Sequence, residues 1–527
     1  MPSPIAARRL FLGQPGLVLS GAAVALLAGN EALAAKSGAA NAKDVQILNT
    51  ARSLTDRPAL MPDLDFSRGP PRNVNSLDSN ASCCNRFIAV TDQETLMRFA
   101  FTPRTAPIET SASAAHRKHK QSRRRISRSV MVLGAIGAAG TLVSACGGGS
   151  DNSAAEQAAL VSEGKQIFRF DTFGDETQWT DTLRMHEVIR TAVDPTTALA
   201  VGLKVDAEAL PAAVVAGIQN GTVDLKSPDT TVALLKLNAV VGLKGTVETV
   251  NGKDMLTRVG VTCALCHSTV DNSFAPGIGK RLDGWPNRDL DSGAIIALSP
   301  ALGAAVKAVY NSWGPGKYDP RFNLDGKNGP QVIPPAYGLA GINKITATGD
   351  GDDLAYWNRY VGVTQMGGHG SFAEPRTGVN VSNGTDDLIT SKLPALQAYQ
   401  LSLAAPPPPA GSFDAVAAER GKLVFNNAGK CVTCHSGLQF TDANARLHPS
   451  SDAVSEPEPN GAPSYASRSA TKQYRTAPLN GLWQHAPYFH NGTAATLDAV
   501  VQTYNTKQSL GLTATQIADL AQYLKSL

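Results

Sequence analysis

Apolar positions recur at helical spacing near the end of the chain. In "TATQIADLAQYLKSL" (513–527), Ile517, Leu520, Leu524 and Leu527 share one helical face, and Thr513 or Thr515 stands where an N-cap belongs. A second helical stripe runs through "DAVAAERGKLVFNNAGK" (414–430) and stops at Gly429. Far upstream, "AAEQAALVSEGKQIF" (154–168) suits a helix leading into an ordered body. Strand-like alternation is scarce, apart from "VALLKLNAVVGLKGTVETV" (232–250), which predicts a short hairpin. The body therefore reads as mainly α.

Gly and Pro punctuation is dense from 272 to 350 and marks loop-rich insertions. "LSLAAPPPPAGSF" (401–413) is a stiff polyproline spacer. It predicts two units, 153–402 and 413–527, joined by a linker over 403–412. The second has the order helix, cysteine motif, loops, closing helix, which is the arrangement of a small class I cytochrome c domain.

At 527 residues the chain is long enough for two or three domains, and 43% apolar with 17% charged residues is an ordinary globular balance. The net charge of +4 owes much to "HRKHKQSRRRISR" (116–128), without which the chain would be net acidic. No nucleic-acid partner is expected. After that run comes "SVMVLGAIGAAGTLVSAC" (129–146), whose order of positive charge, short apolar stretch and small residues is that of a secretory signal. Val143-Ser144-Ala145-Cys146 looks like a bacterial lipobox, which implies cleavage before Cys146 and its lipidation. "GGGSDNSAAEQ" behind it reads as a flexible tether, so 116–152 form signal and tether. A transmembrane anchor is the alternative, but a stretch this short and rich in Gly and Ala is marginal for spanning. The expected location is the periplasmic side of a Gram-negative envelope, with membrane contact through the lipid anchor only.

"ARRLFLGQPGLVLSGAAVALLAG" (7–29) is a second signal-like piece with a twin-arginine pattern from Arg8 to Leu12. Two export signals in series conflict, since only one can lead. Residues 1–115 are therefore read as a leader, with 1–96 a remnant or a mis-set start and translation from Met97 or later.

The chemistry lies in two five-residue units, Cys263-Ala264-Leu265-Cys266-His267 and Cys431-Val432-Thr433-Cys434-His435. C-x-x-C-H attaches haem c: the thiols add to the porphyrin vinyl groups and the adjacent imidazole becomes an iron ligand. Zinc is the rival, but zinc ribbons place their C-x-x-C pairs about 15–20 residues apart, and here the pairs lie in different units, each followed at once by His. Two covalent haem c groups are expected. Four of the seven cysteines are so engaged, which excludes a disulfide framework.

Two such units in one exported chain, joined by a proline-rich spacer, resemble the di-haem cytochrome c peroxidase/MauG superfamily. The closest stretch is "RTAPLNGLWQHAPYFHNGTAATLDAVVQTYN" (475–505), similar to that family's C-terminal signature from Ala486-Pro487-Tyr488-Phe489-His490-Asn491-Gly492 through Thr496-Leu497 to Tyr504. Peroxidase members carry methionine at the position of Tyr504 and MauG-like members tyrosine, as a ligand of the second haem. The resemblance thus implies His435 and Tyr504 on the two faces of that iron. No methionine follows Met366, so the candidates within the second unit are Tyr504, His490, His485 and His448.

The first unit departs from the peroxidase pattern, reading "CHSTVDNSFAPGIGKRLDGW" (266–285). "IFRFDTFGDETQWTDTLRMHEVI" (167–189) looks instead like the rubber-oxygenase branch of di-haem cytochromes. That branch has a tryptophan at the edge of its N-terminal haem and a phenylalanine over the oxygen-binding face. Trp357 and Phe372, in "AYWNRYVGVTQMGGHGSF" (355–372), match in order and spacing. Met366 and His369 flank a glycine pair in the same stretch, and either is placed to cap the first iron. A capped iron is a carrier. An open face lined by Phe372 binds peroxide or dioxygen.

The expected function is oxidoreductase chemistry at the first haem, with His267, Phe372 and Trp357 at the reacting site. The second haem relays electrons, and Trp357, or else Trp285, carries them across. The partners are a small-molecule oxidant, peroxide or dioxygen, and a small redox protein or quinol-chain donor. The alternative is a non-enzymatic electron carrier with both irons six-coordinate. Family members also hold calcium between the haems through main-chain carbonyls. Here His485 replaces a threonine at one contributing position; a backbone carbonyl survives that swap, so the resemblance still allows Ca2+ as a further cofactor, without side-chain support.

Overall fold

The computed structural model describes residues 148–527; both signal-like segments, Met97 and Cys146 lie outside them. Among the described residues helices dominate, and strands occur only as two-stranded sheets. No helix among these residues is long and apolar enough to cross a membrane.

Helix α1 (Gly148–Phe170) takes in most of the stretch read as a tether, so helix replaces flexible linker from Gly148 onward. Its far end packs along α3 (Leu393–Ser402), with Phe168 edge-on to Tyr399 at 5.5 Å. Between them in sequence, α2 (Leu354–Thr364) starts at Asp353, whose carboxylate accepts from Tyr356 N. Buried side chains of all three helices, including Phe168, Tyr360 and Leu396, share one large cluster with Leu235 and Leu256.

The hairpin expected within 232–250 lies further on, as β1 (Leu243–Val250) and β2 (Lys253–Val261). Its turn is Asn251-Gly252, both at positive φ, the backbone that suits a two-residue hairpin. The first part of the expected stretch is helical instead, because Ser227 caps and Pro228 opens a helix over Pro228–Lys236. A second hairpin, β3 (Gly370–Glu374) with β4 (Val379–Asn383), follows α2.

After the proline-rich stretch come α4 (Ala415–Asn426), a single 3-10 turn at Cys431–Thr433, a long irregular segment, α5 (Leu497–Lys507) and α6 (Ala514–Lys525). Helix α4 ends before Gly429, because Asn427 leaves helical geometry and Gly429 N turns back to Val424 O at 2.8 Å. The cap of α6 is Thr513, in a reciprocal capping box with Gln516. Helices α4 and α6 cross at Gly421, where a Cβ would stand 2.1 Å from the carbonyl oxygen of Asp519. Phe425, Val501, Leu520 and Leu524 form a cluster of their own around that crossing.

Candidate functional site

Strand β2 delivers the first unit. Its end is pinned by the buried Asp175, whose carboxylate accepts from Val261 N at 3.2 Å. Cys263 then opens one helical turn, Ala264–His267. That turn rests on Gly242, which has φ +81° and where a Cβ would lie 2.1 Å from Leu265 Cα, so only glycine lets the two backbones meet. His267 Nδ1 is 3.1 Å from Pro334 O. A carbonyl only accepts, so the proton sits on Nδ1 and the Nε2 lone pair is presented to a metal. Burial pushes His267 down to about 4, which keeps the ring neutral, and pushes the Cys263 and Cys266 thiols up to about 12.

The second unit repeats this device on a different frame. His435 N donates to Cys431 O at 2.8 Å, and His435 Nδ1 lies 3.0 Å from Phe440 O. Burial holds His435 below its ordinary value and pushes the Cys431 thiol up to about 11. All four thiols are free.

The candidates for the far faces are more scattered. Met366, Trp357 and Phe372 are buried in the cluster that takes in Cys263 and Leu265. The ring of Phe372 stands edge-on to Tyr356 and Tyr360 at 5.3 and 5.1 Å, and Trp357 lies on Tyr360 at 4.7 Å. His369 has its Nε2 3.2 Å from Thr177 Oγ1. In the second unit Tyr504 projects from α5. Burial pushes its phenol up to about 12, and the thiols of Cys431 and Cys434 are close enough to act on it. His490 has both ring nitrogens engaged, Nε2 on Glu458 at 2.7 Å and Nδ1 on Ser455 at 3.2 Å. His448 Nε2 sits on Asp442.

The C-terminal signature stretch has a role that its sequence did not disclose. Residues 481–490 lie against segments 284–288 and 331–337, which flank His267. Val332 N donates to His490 O at 2.8 Å, Tyr337 OH to Gly481 O at 2.9 Å, and Arg288 Nη1 to Pro487 O at 3.0 Å. The indoles of Trp285 and Trp483 meet edge-on with centroids 5.7 Å apart. Further along, the fully buried Arg468 pairs with Asp319 at 3.0 Å and Asp325 at 2.7 Å. Sequence reasoning missed Arg288, Arg468 and Trp483, since nothing local distinguishes them from surface or core residues.

Covalent haem c fits both units: free thiols, and an adjacent neutral histidine locked through Nδ1. Zinc does not fit. Among the described residues, the side chains near enough to share an ion are Cys434 with Asp442 and His448, and Glu456 with Glu458 and His490. Neither group joins two thiols. The titratable groups facing Arg288 in the seam beside Pro487 are Tyr337, Tyr488, His485 and Lys317, and the neighbouring Asn287 keeps a buried Oδ1 without a partner, so calcium held there would draw on neutral amide and carbonyl oxygens.

Residues 473–509 match the family model described as "RoxA-like, cytochrome c-like". No curated protein counts as a match to the chain. Among solved structures, hydrazine synthase from Kuenenia stuttgartiensis is 18% identical with a TM-score of 0.27, over 38% of this chain and 73% of that one. A MauG-like protein associated with microbial copper homeostasis is 20% identical with a TM-score of 0.26, over 37% and 73%. At those scores neither likeness bears on function. The match runs from Gln473 through α5 to Ser509 and takes in the seam's C-terminal side; over that segment the chain is similar to RoxA-like cytochrome c domains, a likeness that implies covalent haem c.

Proposed function

We propose that the chain is an exported oxidoreductase holding two haem c groups, one on Cys263, Cys266 and His267 and one on Cys431, Cys434 and His435. Oxidant chemistry, with peroxide or dioxygen, belongs to the first and electron relay to the second. The supporting observation is an asymmetry between two otherwise equivalent units. Both histidines are held through Nδ1 by a backbone carbonyl, at 3.1 and 3.0 Å. The second unit has a phenol beside its thiols, while the first shares its cluster with aromatic rings.

Bound haem c supplies iron that exchanges single electrons and, with one face vacant, takes up a small oxidant. The chain's residues set the rest. His267 and His435 would hold the iron through Nε2, each ring oriented by the carbonyl at its Nδ1. His490, His448 and His485 are occupied elsewhere or lie on the seam, which leaves Tyr504 as the second-side partner in the second unit. In the first unit His369 is tied to Thr177, and we read the face as open, with Phe372 held by Tyr356 and Tyr360 as a dry apolar lining. Trp357 packs behind Tyr360. The pair Trp285–Trp483 crosses the seam and is the better candidate for the electron path. The exposed Val432, inside the second unit, and Leu438, three residues behind it, offer a contact face to a small redox protein or quinol-chain donor. Lipidation at Cys146 would hold the protein to the periplasmic face of the membrane.

A visible spectrum of the purified protein tests this reading. Two haems per chain, high-spin ferric bands and carbon monoxide binding after reduction are expected. His267→Ala should abolish the oxidant-reactive signal and His435→Ala should spare it; the reverse would invert the division of labour. Two low-spin centres would favour the carrier, with Met366, buried in the same cluster as Cys263, as the first iron's second ligand.

A further inference from the structure

Away from both C-x-x-C-H units, four side chains with metal-binding atoms turn toward one another. His490, in the signature stretch, meets Glu456 and Glu458 from the irregular segment ahead of α5, and their ligand atoms lie within 4.8 Å of one another. The phenol of Tyr474 completes the group: its OH donates to Glu456 Oε1 at 2.6 Å and lies 3.3 Å from His490 Nε2. The side chains of Glu458 and His490 are 2% and 9% exposed. Two carboxylates in such a place call for positive charge. Among the described residues, the one ion-pair partner of Glu458 is His490 itself. Lys317 feels Glu458 without pairing with it, and Lys507 donates to the main-chain oxygen of Glu456 at 3.1 Å. The outer contacts are those of a metal site. His490 Nδ1 is turned to Ser455 Oγ at 3.2 Å, so Nε2 is the nitrogen aimed at the carboxylates. Asn491 Nδ2 donates to Glu458 Oε2 at 3.0 Å and Ser464 Oγ to Glu456 Oε1 at 2.6 Å, which holds both carboxylates in place.

We infer that His490 Nε2, Glu456, Glu458 and Tyr474 form a site for one divalent first-row transition-metal ion, zinc being the type. An imidazole, two carboxylates and a phenol make a mixed nitrogen and oxygen set of four donors, which zinc accepts. Bonds of about 2 Å reach donors about 4 Å apart, so small side-chain rotations close the group on an ion. Its two charges match the two carboxylates. The ion takes the place of the proton shared by Nε2 and Glu458, and that proton leaves to solvent. No thiol takes part, and the pocket is separate from the C-x-x-C-H units, where zinc does not fit. The role is structural: the ion ties Tyr474 and the turn at Glu456 and Glu458 to His490, whose main-chain oxygen accepts from Val332 N at 2.8 Å. Nothing in this depends on the haem reading.

The test uses the full chain as purified, first dialysed against a chelator. Equilibrium dialysis with Zn2+ should then load one ion per chain and raise the unfolding temperature. Glu456→Gln and His490→Gln should each weaken zinc binding at least about tenfold and remove the rise in unfolding temperature. His448→Gln, which alters the separate group of Cys434, Asp442 and His448, should keep both effects. An unaltered chain that binds no Zn2+ would overturn the inference. So would zinc held undiminished by folded Glu456→Gln, or zinc lost with His448→Gln instead. Glu456 is only half-buried, so its variant decides the matter even if His490→Gln does not fold. Iron is counted apart: its absence would end the haem reading and leave the zinc site standing.

Discussion

Trp285 and Trp483 meet edge to face across the seam, their ring centroids 5.7 Å and their planes 86° apart. Each is anchored in its own half. Gly284, just before Trp285, donates its N–H to His267 O at 2.8 Å, and Trp483 Nε1 donates to Pro406 O at 3.0 Å in the proline-rich spacer. The pair thus links the backbone of His267 to the segment that matches the RoxA-like cytochrome c model.

Trp483→Phe should keep both haems and cost about 1 kcal/mol of stability, the scale of an aromatic pair plus a lost indole hydrogen bond. Electron equilibration between the two irons should slow several-fold. Stopped-flow reduction followed at the two Soret components measures this, and an unaltered rate would take the tryptophans out of the path.

Gly242→Ala strikes the first attachment turn. The added Cβ meets Leu265 Cα at 2.1 Å in a backbone held at φ +81°, and both overpacking and left-handed strain oppose it. A loss of about 1–3 kcal/mol is expected in chemical unfolding. Haem content should fall toward one per chain, because the turn that presents His267 is displaced while the second unit is untouched.

Arg468→Ala removes the cation that binds Asp319 and Asp325 from the other side of the molecule. Both Arg468 and Asp319 have side chains fully out of solvent. The variant leaves a buried carboxylate unpaired, so a loss of about 3–5 kcal/mol is expected. Unfolding curves check it; a change under about 1 kcal/mol, the scale of a surface pair, would show that the pair is solvated.

His485 predicts acid sensitivity. Burial first, then the Arg288 charge, pushes it down to about 3, against an unfolded value of about 6.5. Below about 6.5 the unfolded chain takes up a proton that the folded chain refuses, so stability is lost as pH falls from there toward about 3. His485→Gln should flatten that part of the stability profile, measured by urea unfolding at stepped pH. An identical slope in both proteins would show that His485 does not titrate as argued.

Much of this was legible in the chain alone. Both C-x-x-C-H units could be read because the chemistry they imply uses five consecutive residues and needs no distant partner. The closing helix followed from spacing; of its two cap candidates, Thr513 and Thr515, the fold uses Thr513, in a reciprocal hydrogen bond with Gln516. The hairpin was found one segment late, since apolar content alone did not separate the helix opened by Ser227-Pro228 from the strand behind it. The tether expectation failed from Gly148 on for a related reason: composition suggested flexibility, but the segment continues α1, whose far end is held by α3.

Beyond such runs, the molecule was decided by contacts between residues far apart in sequence. Pro334 holds His267 through a backbone carbonyl from 67 residues away, while Phe440 does the same for His435 from only five residues on; carbonyls carry no side-chain signature. His490 is a candidate iron ligand by sequence, but the fold brings Glu458 and Ser455 to its two nitrogens. Arg288 and Arg468 look like ordinary surface arginines until the two halves close over them. Local sequence determined where the two C-x-x-C-H units stand, because each is five consecutive residues. Only the tertiary structure decided what His267, Arg288 and Arg468 face, because burial and charge pairing depend on chain segments far apart in sequence.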